Sequence, residues 1–202
     1  MKMNRRSLFW AAVVATAVAA PALAYEYPLS SQAIREAYLL GTGPKANEAD
    51  FYAGYWRTLP IPKDGPPVSL LTVDTPYLQV AEHSRDTANY SAQQAVRDFL
   101  GKPARFRVFL DIYFGMPTGS DPSKAGDVKI KLSQHGKELI ADSVERWQLN
   151  VYHDPATWRE SVGQHVQVGI NAGKIDSSVL SIEVETPDGR QDETSFDLAK
   201  LK

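Results

Sequence analysis

Residues 105–114 read RFRVFLDIYF, and every second residue of this stretch is apolar. A period of two places the apolar side chains on one face of a strand and the polar ones on the other. Strands of this kind are typical of antiparallel sheets with one face in the core and one in water. The stretch therefore predicts a half-buried strand whose core residues are Phe106, Val108, Leu110, Ile112 and Phe114.

The same alternation recurs along the rest of the chain, and turn residues separate the repeats. Gly136 and Gly189 each follow a polar residue at hairpin distance between two such stretches, as tight turns require. Sheets that are apolar on one side only must cover each other, so residues 67–202 predict an antiparallel β-sandwich of the immunoglobulin-like kind. The alternating stretches are 128–132, 166–170, 180–184 and 194–198.

Helical patterns occupy the beginning of the predicted fold and interrupt the strands once. Ser30 or Ser31 can cap a helix that stops at Gly41, and a second helix is expected from Asn47 to Thr58. Prolines and glycines then make residues 60–67 an extended connector, so 25–66 form a helical N-terminal segment. The capping-box pattern at Ser91 predicts one inserted helix, 91–100. The fold class is thus α+β and mainly β.

The first 24 residues have the pattern of a signal peptide. A basic start at Lys2, Arg5 and Arg6 precedes an apolar stretch and a small-residue cleavage pattern at residues 22–24. The adjacent arginines also fit a twin-arginine export signal. An uncleaved membrane anchor is the alternative, since a span needs roughly 20 apolar residues. We expect a periplasmic or secreted protein, with no membrane span after signal removal.

The charge balance bears on the class of partner. The whole chain has a formal net charge of −2, and all its acidic residues follow the signal. Without residues 1–24, 19 basic and 24 acidic residues remain, a net charge of −5. Binding to nucleic acid depends on neutralising phosphates with Lys and Arg, so no nucleic-acid partner is expected.

The sequence offers little evidence of catalysis. It has no cysteine, no Gly-x-Ser-x-Gly elbow, no phosphate-binding glycine loop and no His-Glu-x-x-His pattern. The four histidines are widely separated, and His165 is expected at an outward position of a strand. We therefore predict no metal site and no cofactor, and the enzyme question stays open with a preference for no catalysis.

Aromatic residues are the more informative candidates for a ligand site. Exposed aromatic rings bind flat apolar surfaces such as sugar rings with little loss of conformational entropy. Core packing is the alternative role for such rings. Two groups stand out, one on the expected second helix and one near a strand end and a short helix around residues 156–159. The candidate ligand-binding residues are Tyr52, Tyr55, Trp56, Trp147 and Trp158.

Three short stretches resemble a known group of proteins. They are SQAIREAY at residues 31–38, TPY at 75–77 and NYSAQQA at 89–95. Together they resemble a family of uncharacterised secreted bacterial proteins with no assigned activity. The resemblance implies export and a shared architecture, and it implies no mechanism.

These observations favour an exported, non-catalytic binding protein with an envelope polysaccharide or a protein as its partner. One alternative is an exported hydrolase or metal-dependent enzyme whose site converges from separate strands. Another is a structural envelope component that self-assembles through a sheet edge.

Overall fold

The computed structural model describes residues 25–43, 48–60, 69–113, 127–153, 158–186 and 189–201. Side chains are described for all of these except 48–50, 150–153 and 158–162. The predicted signal peptide, Phe114 and the predicted turn at 187–188 lie outside these ranges. Within them, no helix is long and apolar enough to cross a membrane.

The described residues form four α-helices, two short 3-10 helices at Ala172–Lys174 and Leu198–Lys200, and nine strands, so the α+β, mainly β prediction is confirmed. The helices are α1 Ser31–Thr42, α2 Glu48–Ala53, α3 Pro76–Asp86 and α4 Ala92–Phe99. The strands are β1 Trp56–Thr58, β2 Ser69–Asp74, β3 Arg105–Tyr113, β4 Lys129–Gln134, β5 Lys137–Leu139, β6 Ser143–His153, β7 Trp158–Asn171, β8 Val179–Glu185 and β9 Gln191–Asp197.

All described strand pairs are antiparallel, and they make two sheets. The first has the strand order β1-β2-β3-β7-β6, and the second has the order β5-β4-β8-β9. Strand β3 buries alternate residues, as the period of two predicts, and each faces a buried residue of β7 or β2. Buried side chains from both sheets belong to one hydrophobic cluster, which includes Leu71, Phe106, Leu132, Val168, Ile182 and Phe196.

The helices α1, α3 and α4 share a second, smaller cluster. It contains Ile34 and Ala37 from α1, Val80 and Ala81 from α3, and Ala95 from α4. The sequence analysis missed α3. It has helical apolar spacing and a Thr75 cap that accepts from the backbone N–H of Leu78, but it follows β2 after a single residue. The alternation of β2 therefore conceals where the helix begins.

The predicted C-terminal end of the first helix needs correction. Gly41 does not stop α1, because the helix continues to Thr42 and has its C-cap at Gly43. A Cβ added at Gly41 would lie 2.0 Å from the carbonyl oxygen of Ala81, so glycine permits α1 and α3 to approach closely. The capping box of Ser91 and Gln94 at the start of α4 is confirmed.

The second predicted helix, 47–58, is wrong in its second half. Helix α2 ends at Ala53, and Trp56–Thr58 form strand β1, which pairs with β2. The backbone carbonyl of Tyr55 accepts a hydrogen bond from the N–H of Val73 at 2.8 Å. Pairing with a strand distant in sequence thus overrides the local helical pattern.

Candidate binding face

The outer side of the five-stranded sheet carries a continuous group of aromatic and polar side chains. The register pairs Asp111 of β3 with His165 of β7, and His165 with Trp147 of β6. These three residues form a row across three strands. Phe109 and Tyr113 flank Asp111 on the same side of β3, since side chains alternate along a strand. We call Phe109, Asp111, Tyr113, Trp147 and His165 the aromatic face.

Ring contacts and one polar bond hold the centre of the aromatic face together. The rings of Trp147 and His165 have centroids 5.1 Å apart, and those of Phe109 and His165 are 5.8 Å apart. The Nδ1 of His165 lies 2.5 Å from Oδ1 of Asp111. A carboxylate accepts, so Nδ1 of His165 donates to Asp111. The pair fixes the orientation of the imidazole between two aromatic rings.

Exposure distinguishes this face from ordinary core. Trp147 is 47% exposed and Tyr113 is 41% exposed, whereas the inward residues of β3 are buried. The side chains of His165 and Asp111 are 27% and 32% exposed. Large rings and hydrogen-bonding groups therefore reach solvent from one sheet surface. Such a surface can contact the apolar side of a ligand and its polar groups together.

A groove lies beyond β2 on the same side of the sheet. We call it the Trp56 groove, and its volume is about 350 Å³. The residues that line it are Tyr52, Tyr55, Trp56, Leu70, Thr72, Leu78 and Glu82. Trp56 pairs with Thr72, and Thr72 pairs with Phe109. Trp56 is therefore two strands, or about 10 Å, from Phe109. The groove extends the aromatic face toward the helices.

Glu82 gives the Trp56 groove a carboxyl group. Burial is the main cause that raises the pKa of Glu82, and the nearby Asp86 raises it further. The positive charges of Arg85 and Arg107 oppose this rise. The groove thus combines an apolar lining with one carboxyl that gives up its proton less readily than an exposed one.

Three of the five predicted site residues lie at or near exposed surfaces of this region. Trp147 is on the aromatic face, and Trp56, which is 45% exposed, is at the rim of the groove. Tyr52 lies in the groove, where its hydroxyl accepts a hydrogen bond from Arg85 at 3.0 Å. The strand register thus brings Trp147 and Trp56 to one side of one sheet.

The other two predicted site residues are not seen at an exposed surface of this region. Tyr55 is 2% exposed and its ring packs on Phe51 at 5.0 Å between centroids, so most of it is core. Ligand contact by Tyr55 stays a prediction that its burial does not favour. Trp158 begins strand β7 opposite His153 and is not on the short helix expected around residues 156–159. Its side chain lies outside the described part of the structure.

Neither the place of Asp111 on this face nor its contact with His165 was predictable from the sequence. His165 is at an outward strand position, as expected, but 54 residues separate it from Asp111. Alternation shows that both side chains point away from the core. It does not show that β3 and β7 are neighbours in this register. No signal in a single sequence identifies that pair.

Arg107 lies next to the aromatic face on β3. Its guanidinium is 5.5 Å from the ring centroid of Phe109, and its Nε donates to Oδ2 of Asp74 at 2.6 Å. Oδ1 of Asp74 is buried and has no hydrogen-bond partner. Burial raises the pKa of Asp74 to about 7, although the bonds and charge of Arg107 act to lower it. Arg107 therefore joins the aromatic face to a buried carboxyl.

Among the described residues, no group of three or more His, Asp or Glu side chains is placed to hold a metal ion. Of the residues on the aromatic face, Asp111 and His165 are the only possible ligands of that kind, and they bond to each other.

Comparisons with protein-family models, with curated proteins and with solved structures give no match for this chain. The resemblance to secreted bacterial proteins therefore rests on its three short motifs, which lie in α1, at the start of α3 and at the start of α4.

Proposed function

We propose that this protein is an exported, non-catalytic binding protein that binds a polysaccharide on the aromatic face. The observation that carries the proposal is the row Trp147–His165–Asp111, with Phe109 against the same imidazole. Sugar rings have apolar C–H faces and hydroxyl edges. A site for them combines exposed rings with oriented hydrogen-bonding groups.

The chemistry of the face favours a polysaccharide over a protein partner. The rings of Trp147 and Tyr113 are exposed on a sheet surface, and neither is enclosed in a deep pocket. Oxygen and nitrogen atoms of Asp111 and His165 lie between the aromatic rings. A chain of sugar rings presents this alternation of apolar and polar groups along its length. Binding of a protein alone would contradict this choice.

The proposed scaffold is an immunoglobulin-like β-sandwich. When β2, β3, β4, β5, β6, β7, β8 and β9 are named A, B, C, C′, D, E, F and G, the two sheet orders become β1-A-B-E-D and C′-C-F-G, with β1 as an added edge strand. Immunoglobulin-type sandwiches have sheets ABED and CFG. The shared hydrophobic cluster of the two sheets also supports the proposal. An experimental structure with these sheets packed apart would overturn it.

Export is part of the proposal and rests on the pattern of residues 1–24. The expected mature protein begins at Tyr25, whose hydroxyl donates to the carbonyl of Ala172 at 3.0 Å and whose ring is buried. Mass spectrometry of the periplasmic and secreted fractions should give a chain that begins at residue 25. A full-length chain found only in the cytoplasm would contradict export.

The central experiment compares variants of the aromatic face in titrations with soluble polysaccharides. We expect Trp147→Ala to weaken binding at least tenfold, because stacking of one ring and its buried area is worth more than about 1.4 kcal/mol. His165→Gln and Asp111→Asn should each weaken it several-fold. The matched control is Val144→Ala, which changes an exposed residue of the same strand on the opposite side. Equal affinity of Trp147→Ala and wild type would contradict the proposal.

The Asp111–His165 pair also favours a second candidate, an exported hydrolase. A carboxylate that orients a histidine makes the free nitrogen a possible general base. The candidate predicts release of reducing sugar ends from the bound polysaccharide, and loss of that release in His165→Gln. If wild type binds the polysaccharide and leaves its chain length unchanged, the non-catalytic function stands.

A further inference from the structure

A second cavity lies between β3, the helices α3 and α4, and the N-terminal segment. Its volume is about 400 Å³, and its lining includes Tyr27, Gln79, Asp98, Lys102, Arg105 and Arg107. We call it the cationic cavity because three cationic side chains and one carboxylate line it. The chain as a whole is negative, with a net charge of −2, so this local excess of positive charge is distinctive.

The cations of this cavity are not equally neutralised within the fold. Arg107 bonds to Asp74. Arg105 donates to the neutral hydroxyl of Ser143 at 3.3 Å. Lys102 makes no ion pair with any residue that the structure describes, and it is exposed. Two of the three positive charges thus have no bonded carboxylate within the described chain.

The carboxylates nearest to these cations have other partners. Asp98 accepts a hydrogen bond from the Tyr90 hydroxyl at 2.7 Å. Asp142 is bonded to Lys174 at 2.6 Å, and this bond is the main cause that lowers its pKa, whereas the charge of Arg105 contributes least. An anion in the cavity would therefore meet Lys102 and Arg105 without displacing an existing ion pair of theirs. Arginine and lysine both form charge-assisted bonds with carboxylate, phosphate and sulfate groups.

The cationic cavity continues the aromatic face along one strand. Arg105, Arg107 and Phe109 are alternate residues of β3 and lie on the same side, at spacings of about 7 Å. Arg107 lines the cavity and also covers the ring of Phe109. A polymer that stacks on Phe109 and Trp147 can therefore reach Arg105 and Lys102 with a neighbouring unit.

We infer that the polysaccharide is acidic, with anionic groups that bind Lys102 and Arg105 in the cationic cavity while its sugar rings contact the aromatic face. This inference rests on the proposed function and specifies its ligand class. The shared chemistry is an anionic substituent on a sugar. Carboxylate and sulfate are the two forms that the experiment compares.

The test measures binding to two matched pairs of polymers by calorimetry at low salt. One pair is polygalacturonate and its fully methyl-esterified form, and the other is dextran sulfate and dextran. Within each pair the backbone is the same and the charge differs. We expect wild type to bind a charged polymer about tenfold more tightly than its uncharged form, with the difference reduced as salt is added. The pair that shows the larger difference identifies carboxylate or sulfate as the group bound.

Variants then locate the charge preference. Lys102→Gln should remove part of the preference for the charged polymer. The double variant Lys102→Gln/Arg105→Gln should remove almost all of it. The control is Lys129→Gln/Lys131→Gln, which makes the same charge change on β4 of the other sheet and disrupts only exposed ion pairs. Lys102 is exposed and makes no ion pair, so its variant should fold normally.

The outcomes separate the two proposals. Equal binding of charged and uncharged polymers, with loss in Trp147→Ala, overturns the inference and leaves the proposed function standing. A charge preference that the control variant removes as strongly as the cavity variant also overturns the inference. Failure of wild type to bind any of the four polymers overturns both.

Discussion

Asp74 shows how one residue can couple the fold to pH. Its side chain is 4% exposed, and one of its two oxygens bonds to Arg107 while the other is buried without a partner. Burial outweighs the attraction of Arg107 and raises the pKa of Asp74 to about 7. The charged groups that face it are Arg107 and Glu82. The side-chain amide of Gln79 donates to the backbone carbonyl of Asp74 at 3.4 Å.

The raised pKa predicts a pH dependence of stability. The folded state holds the Asp74 proton more tightly than the unfolded chain, so between about pH 4 and pH 7 it binds more protons. The free energy of unfolding should therefore fall as pH rises through this range, and the Asp74 contribution is complete below about pH 4. In Asp74→Asn the free energy of unfolding should fall less over this range. The difference from wild type between pH 4 and pH 8 should be on the order of 1 kcal/mol or more. Denaturant titrations at several pH values measure it.

Glu185→Gln is a suitable control for this measurement. Glu185 lies on the other sheet, and the hydrogen bond from Lys129 lowers its pKa. Its substitution should leave the slope between pH 4 and pH 7 close to that of wild type, because a carboxyl with a lowered pKa is already ionised across most of this range. Equal slopes in Asp74→Asn and wild type would contradict the assignment of the raised pKa to Asp74.

Residue-scale chemistry was the least predictable part of the site from sequence. Trp147 and Trp56 are candidates from sequence because tryptophan is informative as a residue type, and the structure shows that both are exposed; ligand contact by either stays a prediction. Asp111 was not found, since an aspartate at an outward strand position is ordinary until its neighbour is known. Its role depends on His165, which lies on β7, a strand that is distant from β3 in sequence and pairs with it in the sheet.

At the scale of elements, the crossing of α1 and α3 depends on one glycine. The carbonyl of Ala81 occupies the space where a side chain at position 41 would begin. Alanine favours a helix over glycine by about 1 kcal/mol, so propensity alone predicts that Gly41→Ala stabilises the protein. We expect the opposite, because the backbone of α3 must move to admit the methyl group.

Thermal unfolding measures this effect. Gly41→Ala should lower the free energy of unfolding by roughly 1–3 kcal/mol. Arg35→Ala changes an exposed residue of the same helix and should have little effect. An increase in the midpoint temperature of Gly41→Ala would show that the helices separate without cost, contrary to the close packing seen here.

Elements were predicted best where a pattern is long and undisturbed. Strand β3 and helix α4 are close to their predicted bounds, since each has a clear period and α4 has its own cap. Strand β1 and helix α3 were not predicted. The three residues of β1 have no periodicity of their own, and only pairing with β2 makes them a strand. The first turn of α3 is concealed by its proximity to β2.

At the scale of the whole molecule, β6 is an exposed edge. It has 11 residues and pairs with β7 on one side, and no described strand pairs with its other side. Exposed edges invite pairing with another chain, and charged residues or irregularities protect them. Glu145 and Arg146 are both exposed on β6, and the register shifts between Leu149 and Asn150. These features predict a protein that remains monomeric in solution.

Light scattering tests this prediction. Wild type should have the mass of one chain, and Glu145→Val/Arg146→Val should form larger species because both protective charges are lost. Glu183→Val/Glu185→Val makes the same kind of change on β8, which pairs with β4 and with β9 at both positions, and should stay monomeric. Assembly of wild type itself would favour the structural envelope component over a free binding protein.

The overall class was predictable from sequence, whereas the order of strands was not. Alternation and turn residues suffice to identify antiparallel strands that are polar on one side. Which strands become neighbours depends on long-range contacts, such as β3 with β7, that leave no periodic trace. The candidate site consists of residues that this neighbour relation brings together, so its location had to await the structure.

The separate cluster shared by α1, α3 and α4 has a kinetic consequence. Its buried side chains are distinct from the cluster that both sheets share. A subset of contacts that is independent in this way can open and close as its own cooperative unit. Amide hydrogens of α1 should therefore exchange with solvent deuterium sooner than those at the centre of β3. The wall of the cationic cavity that α3 and α4 form would then open transiently while the sheets stay intact. Such opening would let a bulky polymer enter the cavity.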